Sequence, residues 1–248
     1  MTPPLSFERV SKEYVRSHLG RRTVSKGVED LSLRLEEGEV FGLLGLNGQG
    51  KTTAMKLALG LLTPTSGEVR VLGASPRDHA SLASIGFLPE LPYFYPYLTP
   101  RESLEYYGRL SRIPESLLRG KVDRALDAVG LGAAAGRKAC EFSKGMLQRL
   151  GLAQATLHEP RLLLLDEPVS GLDPLAIHDV RSFLFELHRK GCTILLSSHS
   201  ISDVERLCGR VGILKGGRLA RVLSSAQWSS SEGGLERLFI DTVRGDAP

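Results

Sequence analysis

Gly45-Leu46-Asn47-Gly48-Gln49-Gly50-Lys51-Thr52-Thr53 is the stretch that decides the fold of this chain. It fits the pattern Gly, four residues, Gly-Lys-Ser/Thr, and it stands between the apolar run 40–44 and a helix-like run that starts at Thr52. A strand, a glycine-rich loop and a helix in this order form a phosphate-binding loop, in which backbone N–H groups and the helix dipole attract an anion. A glycine-rich turn without a ligand is the alternative, and the Lys51-Thr52 pair in register after a strand disfavours it.

Two side chains of the loop carry the chemistry of a nucleotide site. The Lys51 ammonium can reach the β- and γ-phosphates, and the Thr52 hydroxyl can coordinate Mg²⁺. We therefore predict that this loop binds a nucleoside triphosphate together with Mg²⁺.

The bulk composition is that of an ordinary globular protein. The chain has 248 residues and a formal net charge of +4, with charges of both signs mixed along it, so charge does not indicate nucleic acid as a partner. Its three cysteines form no CxxC pair and are expected to be reduced thiols of a cytosolic protein. No stretch approaches the ~20 apolar residues of a membrane span, and the first residues lack a signal-peptide core. We expect any work at a membrane to be done through a partner.

The order of predicted elements indicates an α/β fold with a largely parallel sheet. An N-terminal antiparallel β part is expected from strands at 5–10 and 31–35, joined by an exposed basic hairpin or loop at 12–26. A second hairpin is predicted at 211–222, around Gly216-Gly217.

A mostly helical region at about 92–160 interrupts this pattern and is interpreted as a helical subdomain inserted into the α/β core. Breaks in its helices are expected near Ile113-Pro114 and at Gly120. Residues 1–223 are predicted to form a single domain. The remainder, 224–248, is predicted to be a Ser/Gly-rich linker followed by one short helix.

The apolar run Leu162–Leu165 predicts a buried parallel strand, and two carboxylates, Asp166 and Glu167, follow it directly. Ligand sites of open parallel sheets lie at the carboxyl ends of the strands. Asp166 is therefore placed to hold the Mg²⁺ shell, and Glu167 to orient and deprotonate an attacking water. Solvated acids after a strand are the alternative, which the phosphate-binding loop upstream disfavours.

The segment Phe142-Ser143-Lys144-Gly145-Met146 precedes a predicted helix. Ser143 can cap that helix and Gly145 allows a close backbone approach, although alone the segment is an ordinary capped helix. Its order with the other motifs is more specific. The loop at 45–53, this segment, the Asp166-Glu167 pair, Gly171-Leu172-Asp173 and a histidine after a strand resemble the ATP-binding-cassette (ABC) family over about residues 5–222.

The resemblance implies a P-loop NTPase core of the RecA-like type and a role for each matching residue. Gly45 to Thr53 matches the Walker A loop, and Phe142 to Met146 matches the family's signature segment. The implied nucleotide-binding residues are Tyr14, Gly45, Asn47, Gly48, Gly50, Lys51, Thr52, Thr53, Ser143, Gly145 and Asp173. The implied catalytic residues are Glu167, His199 and Glu90, and the implied metal ligands are Thr52, Asp166 and Glu90.

His199 and Tyr14 are supported by their settings. His199 follows the apolar run at 193–198, so it is expected at the phosphate end of a buried strand, where the resemblance implies contact with the γ-phosphate. Tyr14 matches the approximate location of the aromatic residue that stacks on adenine; covering a strand edge is the alternative. The other five histidines have no comparable setting and receive no role.

Several positions depart from the family's usual pattern. Leu46 and Gln49 replace the usual proline and small residue of Walker A, and neither supplies a side chain that the phosphate contacts need. Lys144 and Met146 alter the signature segment, and Glu90 stands where the family usually has glutamine. Glu90 and the Ser-Lys-Gly-Met sequence resemble the ATPase subunits of two-component exporters.

The resemblance implies an ATPase, with ATP and Mg²⁺ as its cofactors, that pairs head to tail with a second nucleotide-binding domain around two Mg-ATP. It also implies an integral membrane permease as partner. The aromatic loop 93–97 is expected to contact this permease, and the alternative is that the loop forms part of the core of the helical subdomain. The chain is then expected in the cytoplasm, peripheral on the inner membrane face, binding neither nucleic acid nor the transported substrate. An ABC importer ATPase and a soluble non-transport ABC ATPase are the alternatives, and the absence of sustained heptads and of a second cassette argues against the latter.

Overall fold

A computed structural model describes residues 2–18 and 21–245, without the side chains at positions 16, 18, 21 and 22. The strands are β1 (Leu5–His18), β2 (Arg21–Arg34), β3 (Val40–Leu44), β4 (Ser66–Val71), β5 (Ile85–Leu88), β6 (Leu162–Asp166), β7 (Thr193–Ser198), β8 (Arg210–Lys215) and β9 (Arg218–Ser224). The α-helices are α1 (Lys51–Ala58), α2 (His79–Leu82), α3 (Pro100–Leu110), α4 (Glu115–Ala128), α5 (Lys144–Thr156), α6 (Pro174–Arg189), α7 (Ile201–Leu207), α8 (Ser225–Ser229) and α9 (Gly234–Arg244). The chain divides into two compact units: residues up to Leu82 together with those from Thr193 onward, and Ala83–Cys192.

The first unit combines an antiparallel and a mainly parallel group of strands. Strand β1 pairs antiparallel with both β2 and β4, while β3 pairs parallel with β7 and β8, and β9 pairs antiparallel with β8. Every residue of β3 and β7 is buried, as expected for parallel strands that are covered on both faces. The α/β class with an N-terminal antiparallel part is therefore confirmed.

The register of these parallel strands fixes where the functional loops emerge. Leu44, the last residue of β3, is level with Ser198 of β7 and with Ile213 of β8. The loop that begins at Gly45 and the residue His199 consequently leave the sheet at the same edge, which is the edge where ligands bind in open α/β sheets.

The second unit consists of two parallel strands and a set of helices. Strand β5 pairs with β6, and helices α3, α4 and α5 pack on one another through apolar side chains such as Leu104, Leu118 and Leu150. Gly108 of α3 permits a close approach, because a Cβ there would overlap the Leu118 side chain. The predicted break near Ile113-Pro114 is confirmed by the gap between α3 and α4.

Three details differ from the sequence-based expectation. Strand β1 does not end near Val10 but continues to His18. Of the two alternatives predicted for 12–26, the hairpin is confirmed, because this segment forms an antiparallel ladder that places Val15 opposite Val24. Helix α4 continues through Gly120, since buried Leu118 and Val122 hold it against its neighbours and a single glycine costs a helix only about 1 kcal/mol.

The predicted linker at 224–234 is the third difference. Its first residue completes β9, and the next five form helix α8, which Ser224 and Gln227 cap reciprocally. Trp228 of α8 is only 4% exposed, so this segment is anchored to the protein by a large apolar side chain. The predicted terminal helix is present as α9.

Candidate functional site

The phosphate-binding loop connects β3 to α1 in the first unit, and its glycines adopt the required backbone. Gly48 and Gly50 have φ values of 78° and 101°, in the left-handed region that favours glycine. A Cβ on Gly48 would meet nothing within 4 Å, so the backbone there faces open space, as a bound phosphate group would require. Helix α1 carries no acidic residue in its first turn, which leaves the positive end of its dipole free for an anion.

Lys51 is a buried cation within the loop. Its side chain is 6% exposed, and its Nζ donates hydrogen bonds to the carbonyl oxygens of Gly45 at 2.6 Å and of Leu46 at 3.4 Å. The ammonium therefore lies inside the curve of the loop instead of extending into solvent. The neighbouring Thr52 side chain is exposed, which leaves its hydroxyl accessible to a metal ion. The loop fits a nucleotide phosphate with Mg²⁺.

Tyr14, the residue predicted to stack on the base, lies beside the start of α1. Its hydroxyl is 3.2 Å from the Thr53 hydroxyl, and the Lys12 ammonium is 5.7 Å from its ring centroid. Gly27 of β2 makes this packing feasible, because a Cβ there would lie 2.7 Å from Tyr14 Cε2 and 2.9 Å from Thr53 Cγ2. No sequence pattern pointed to Gly27, whose neighbours in the fold are remote along the chain.

His199 directly follows β7 and is exposed at the carboxyl edge of the sheet. The Ser198 hydroxyl accepts a hydrogen bond from the backbone N–H of Ser200 at 2.9 Å, and this bond spans His199. Through the strand register, the structure brings His199 to the same edge as Gly45. Tyr14, the phosphate-binding loop and His199 thus all belong to the first unit.

Asp166 and Glu167 emerge from β6 in the second unit. They are 4% and 8% exposed, at the end of a strand whose residues are all buried. Glu167 has a φ of 50°, which is unusual for a residue with a side chain and is a form of backbone strain that clusters at functional sites. Its carbonyl accepts a hydrogen bond from the Ser170 N–H at 3.1 Å, so a tight turn fixes the backbone of the glutamate.

The signature segment leads into α5 of the same unit. The Ser143 hydroxyl caps the helix by accepting a hydrogen bond from the Met146 N–H at 3.3 Å, and the Ser143 side chain is exposed. A Cβ on Gly145 would lie 3.3 Å from the Ala176 Cβ, so a larger residue there would press against the start of α6. The helix N-terminus therefore presents a hydroxyl and backbone N–H groups at the surface.

The remaining predicted site residues of the second unit have mixed settings. Asp173 caps α6, because its Oδ1 accepts a hydrogen bond from the Ala176 N–H at 2.9 Å. Glu90 is exposed two residues beyond the end of β5. Asp173 therefore stabilises the N-terminus of α6, besides its predicted role in nucleotide binding. Glu90 is accessible from solvent.

The aromatic loop divides between core and surface. Phe94 is buried and packs edge to face on Tyr107 of α3, with ring centroids 6.0 Å apart. Burial raises the pKa of Tyr107, with smaller contributions from Tyr95 and Tyr106. Tyr93 and Tyr97, in contrast, are 76% and 64% exposed. Phe94 therefore belongs to the core of the second unit, as one of the two interpretations expected, whereas Tyr93 and Tyr97 lie at the surface.

Within residues 2–18 and 21–245, no helix has the length and apolar character needed to cross a membrane.

Comparison with known proteins agrees with this set of motifs. The sequence profile of the ABC transporter family matches residues 28–170. An uncharacterized ABC transporter ATP-binding protein of Nostoc sp. is 46% identical over 190 residues, which make up 76% of this chain and 57% of that relative. The bacitracin transport ATP-binding protein BcrA of Enterococcus faecalis is 39% identical over 226 residues, or 90% of this chain and 70% of BcrA.

A solved structure described as the ATP binding subunit of an ABC transporter is similar over nearly the whole chain. It is 30% identical, superimposes with a TM-score of 0.83, and the match covers 97% of this chain and 99% of that structure. The curated relatives are longer, since this chain spans 57% of the Nostoc protein and 60% of a similar protein from Synechocystis sp..

Proposed function

Because the chain belongs to the ABC transporter family, we propose that it is the ATP-binding and ATP-hydrolysing subunit of a transporter. The observation that carries the proposal is the presence in one chain of a phosphate-binding loop with open space at Gly48 and a strand-end acid pair whose second member, Glu167, has a strained backbone. A glycine-rich turn and solvated acids without a ligand would need neither feature.

The residues divide the work of ATP hydrolysis between binding and proton transfer. Lys51 and the loop N–H groups would hold the phosphates, and Thr52 and Asp166 would hold Mg²⁺, which neutralises phosphate charge when bound. Glu167 would orient the attacking water and accept its proton. His199 would contact the γ-phosphate and Tyr14 would stack on the base, while Glu90 would lie on the metal and water side.

A second copy of the chain would complete each site. Ser143 is exposed at the N-terminus of α5, where its hydroxyl and the nearby backbone N–H groups suit an anion presented from outside the chain. The family resemblance assigns Ser143 and Gly145 to the nucleotide of the partner. The same resemblance implies head-to-tail pairing around two Mg-ATP, and one copy of each motif in this sequence suits a homodimer. Asp173 would lie at this interface.

The exposed tyrosines of the second unit suit the contact with a membrane permease. Tyr93 and Tyr97 are large, amphipathic and exposed, a type of residue enriched in protein interfaces, and they follow closely on Glu90. The bacitracin transport role of BcrA supports transport, and Glu90 with the Ser-Lys-Gly-Met segment favours export. The chain would then work in the cytoplasm at the inner face of the membrane, and the permease would bind the transported substrate.

Two substitutions test the proposal. Lys51→Ala should remove most ATP binding, whereas Lys56→Ala, which alters an exposed lysine in the last turn of α1, should bind like wild type in an equilibrium titration. Unchanged ATP turnover in Lys51→Ala would refute the role of the loop.

The second substitution addresses hydrolysis and pairing. Glu167→Gln should bind Mg-ATP but hydrolyse it slowly, and so accumulate as a dimer in size-exclusion chromatography. Glu186→Gln, an exposed change on α6, is the matched control and should hydrolyse ATP normally. A Glu167→Gln protein that stays monomeric in saturating Mg-ATP would contradict head-to-tail pairing of the isolated subunit.

A further inference from the structure

Gln49 stands in the phosphate-binding loop at a position where the sequence assigned its side chain no role. In the structure its Oε1 accepts a hydrogen bond from the backbone N–H of Gly216, which lies 167 residues further along the chain. Gly216 and Gly217 form the turn between β8 and β9, with φ values of 59° and 81°. The side chain thus joins the phosphate-binding loop to a glycine turn of a neighbouring hairpin.

The glycine turn is itself held by strand β2. The Gly217 carbonyl accepts a hydrogen bond from the Glu29 N–H at 2.8 Å, and a Cβ on Gly217 would lie 3.3 Å from the Gly27 carbonyl oxygen. The Glu29 carboxylate also pairs with Lys26 at 2.7 Å and with Arg218 at 2.9 Å. Hydrogen bonds from these two cations, Lys26 first, lower the pKa of Glu29, and the pair with Arg218 is a second contact between β2 and the start of β9.

Strand β2 also forms the wall behind the predicted base-stacking residue. Gly27 packs directly against Tyr14 and Thr53, and the carbonyl of Gly27 lies against Gly50 of the loop. The loop consequently meets β2 directly at Gly50 and, through Gln49 and the glycine turn, a second time at Glu29. Both contacts are with β2, the strand whose Gly27 packs against Tyr14.

We propose that Gln49 is a positioning residue for ATP binding, which holds the phosphate-binding loop in its binding conformation by anchoring it to the β8–β9 turn. Glycine-rich segments lose more conformational freedom than others when they become ordered, so an anchored loop binds its ligand at a lower entropic cost. A small side chain at this position, usual in the family, cannot make the bond. The inference rests on the proposed ATP-binding function.

The test compares Gln49→Met with wild type and with Gln227→Met as the matched control. Methionine keeps the length of glutamine but replaces its amide oxygen with a thioether sulfur, which is a much weaker acceptor for the bond from Gly216. Gln227 makes an equivalent contact elsewhere in the first unit, where its Oε1 accepts a hydrogen bond from the Ser224 N–H at 2.8 Å in the cap of α8. Circular dichroism and thermal melting would verify that each variant is folded.

Three measurements decide the outcome: hydrogen exchange of the Gly216 amide, the Kd for ATP, and the kinetics of ATP hydrolysis. In Gln49→Met the Gly216 amide should exchange faster, the Kd should rise about 3- to 10-fold, and KM should rise by more than kcat falls, because one neutral hydrogen bond is lost. Gln227→Met should lower the melting temperature without changing the Kd.

Two results would overturn the inference. One is a Gln49→Met protein that binds ATP as tightly as wild type although its Gly216 amide is deprotected. The other is a Gly216 amide whose exchange does not change. A wild-type chain that fails to bind ATP would instead refute the proposed function, so the two failures are distinguishable.

Discussion

Alanine at Gly50 should weaken nucleotide binding more than alanine at Gly48. Both glycines lie in the same loop and both have positive φ values, 101° and 78°, so each substitution forces a side chain into the left-handed region. This backbone strain costs roughly 1–2 kcal/mol at either position. The two sites differ in the space around the added methyl group.

The surroundings of Gly50 add a steric penalty that Gly48 does not have. A Cβ at Gly50 would lie under 3.0 Å from the Gly27 carbonyl oxygen and 3.0 Å from the Val28 Cγ1, whereas a Cβ on Gly48 would meet nothing within 4 Å. The Gly27 contact is with strand backbone, which cannot rotate away as a flexible side chain can. Overpacking of this kind typically costs about 1–3 kcal/mol, so for Gly50→Ala the strain and the overlap together reach about 2–5 kcal/mol.

These energies translate into affinities if the loop escapes the strain by leaving its binding conformation. Gly48→Ala should then raise the Kd for ATP by no more than about 30-fold, and Gly50→Ala by roughly 30-fold or more, since a factor of ten corresponds to about 1.4 kcal/mol. Equilibrium titration with a fluorescent ATP analogue measures both values, and calorimetric melting shows whether each variant remains folded. Equal Kd values for the two variants would refute the argument that the Gly27 contact fixes the loop.

Two further predictions concern titratable groups outside the site. One thiol per folded chain, Cys140, should react with a maleimide at pH 8, because Cys140 is exposed. Burial raises the pKa of Cys192 to about 11 and raises that of Cys208 further, so these two thiols should not react. Rapid labelling of a second thiol in the native protein would contradict this prediction. Burial also lowers the pKa of His158, although the bond from its ring to the Ile85 carbonyl at 3.0 Å opposes the shift. As the pH falls, the unfolded chain, with a histidine pKa of about 6.5, takes up the proton before the folded protein does, so the stability of the folded protein should fall below that pH. The melting temperature of His158→Gln, measured at a series of pH values, should fall less steeply with decreasing pH than that of wild type.

The parts of the fold that the sequence predicted well are those in which local pattern and tertiary role coincide. The runs Val40–Leu44 and Leu162–Leu165 consist of successive apolar residues. A segment this short with apolar residues on both faces is typical of a parallel strand that is buried on both sides. Their ends were therefore predictable, and so were the polar residues that follow them. The strand-end positions of Asp166 and Glu167 follow from this pattern, and the fold class follows from the alternation of such strands with helices.

Helix α8 shows where local pattern fails. Its surroundings are rich in serine and glycine, which is typical of a linker, and a helix of five residues is too short to be stable alone. The helix exists because Trp228 is buried and because Ser224 and Gln227 satisfy its first N–H groups. Burial of one tryptophan depends on what the rest of the fold places beside it, which composition does not reveal.

The residues of the candidate site also fall into two groups: those that a local motif predicts and those that depend on tertiary contacts. Residues chosen for their chemistry, such as Lys51 and Thr52, follow from the motif, because a phosphate needs a cation and N–H groups at fixed spacing. Residues that position the loop do not, because their partners are remote along the chain: Gly27 packs against Thr53, and Gln49 meets Gly216 across 167 residues. Gln49 shows this most clearly. From the sequence it is a departure from the family's pattern with no assigned function, and only the contact with Gly216 indicates what its side chain does. A departure from a motif therefore acquires a meaning when the fold supplies a specific neighbour for the altered side chain.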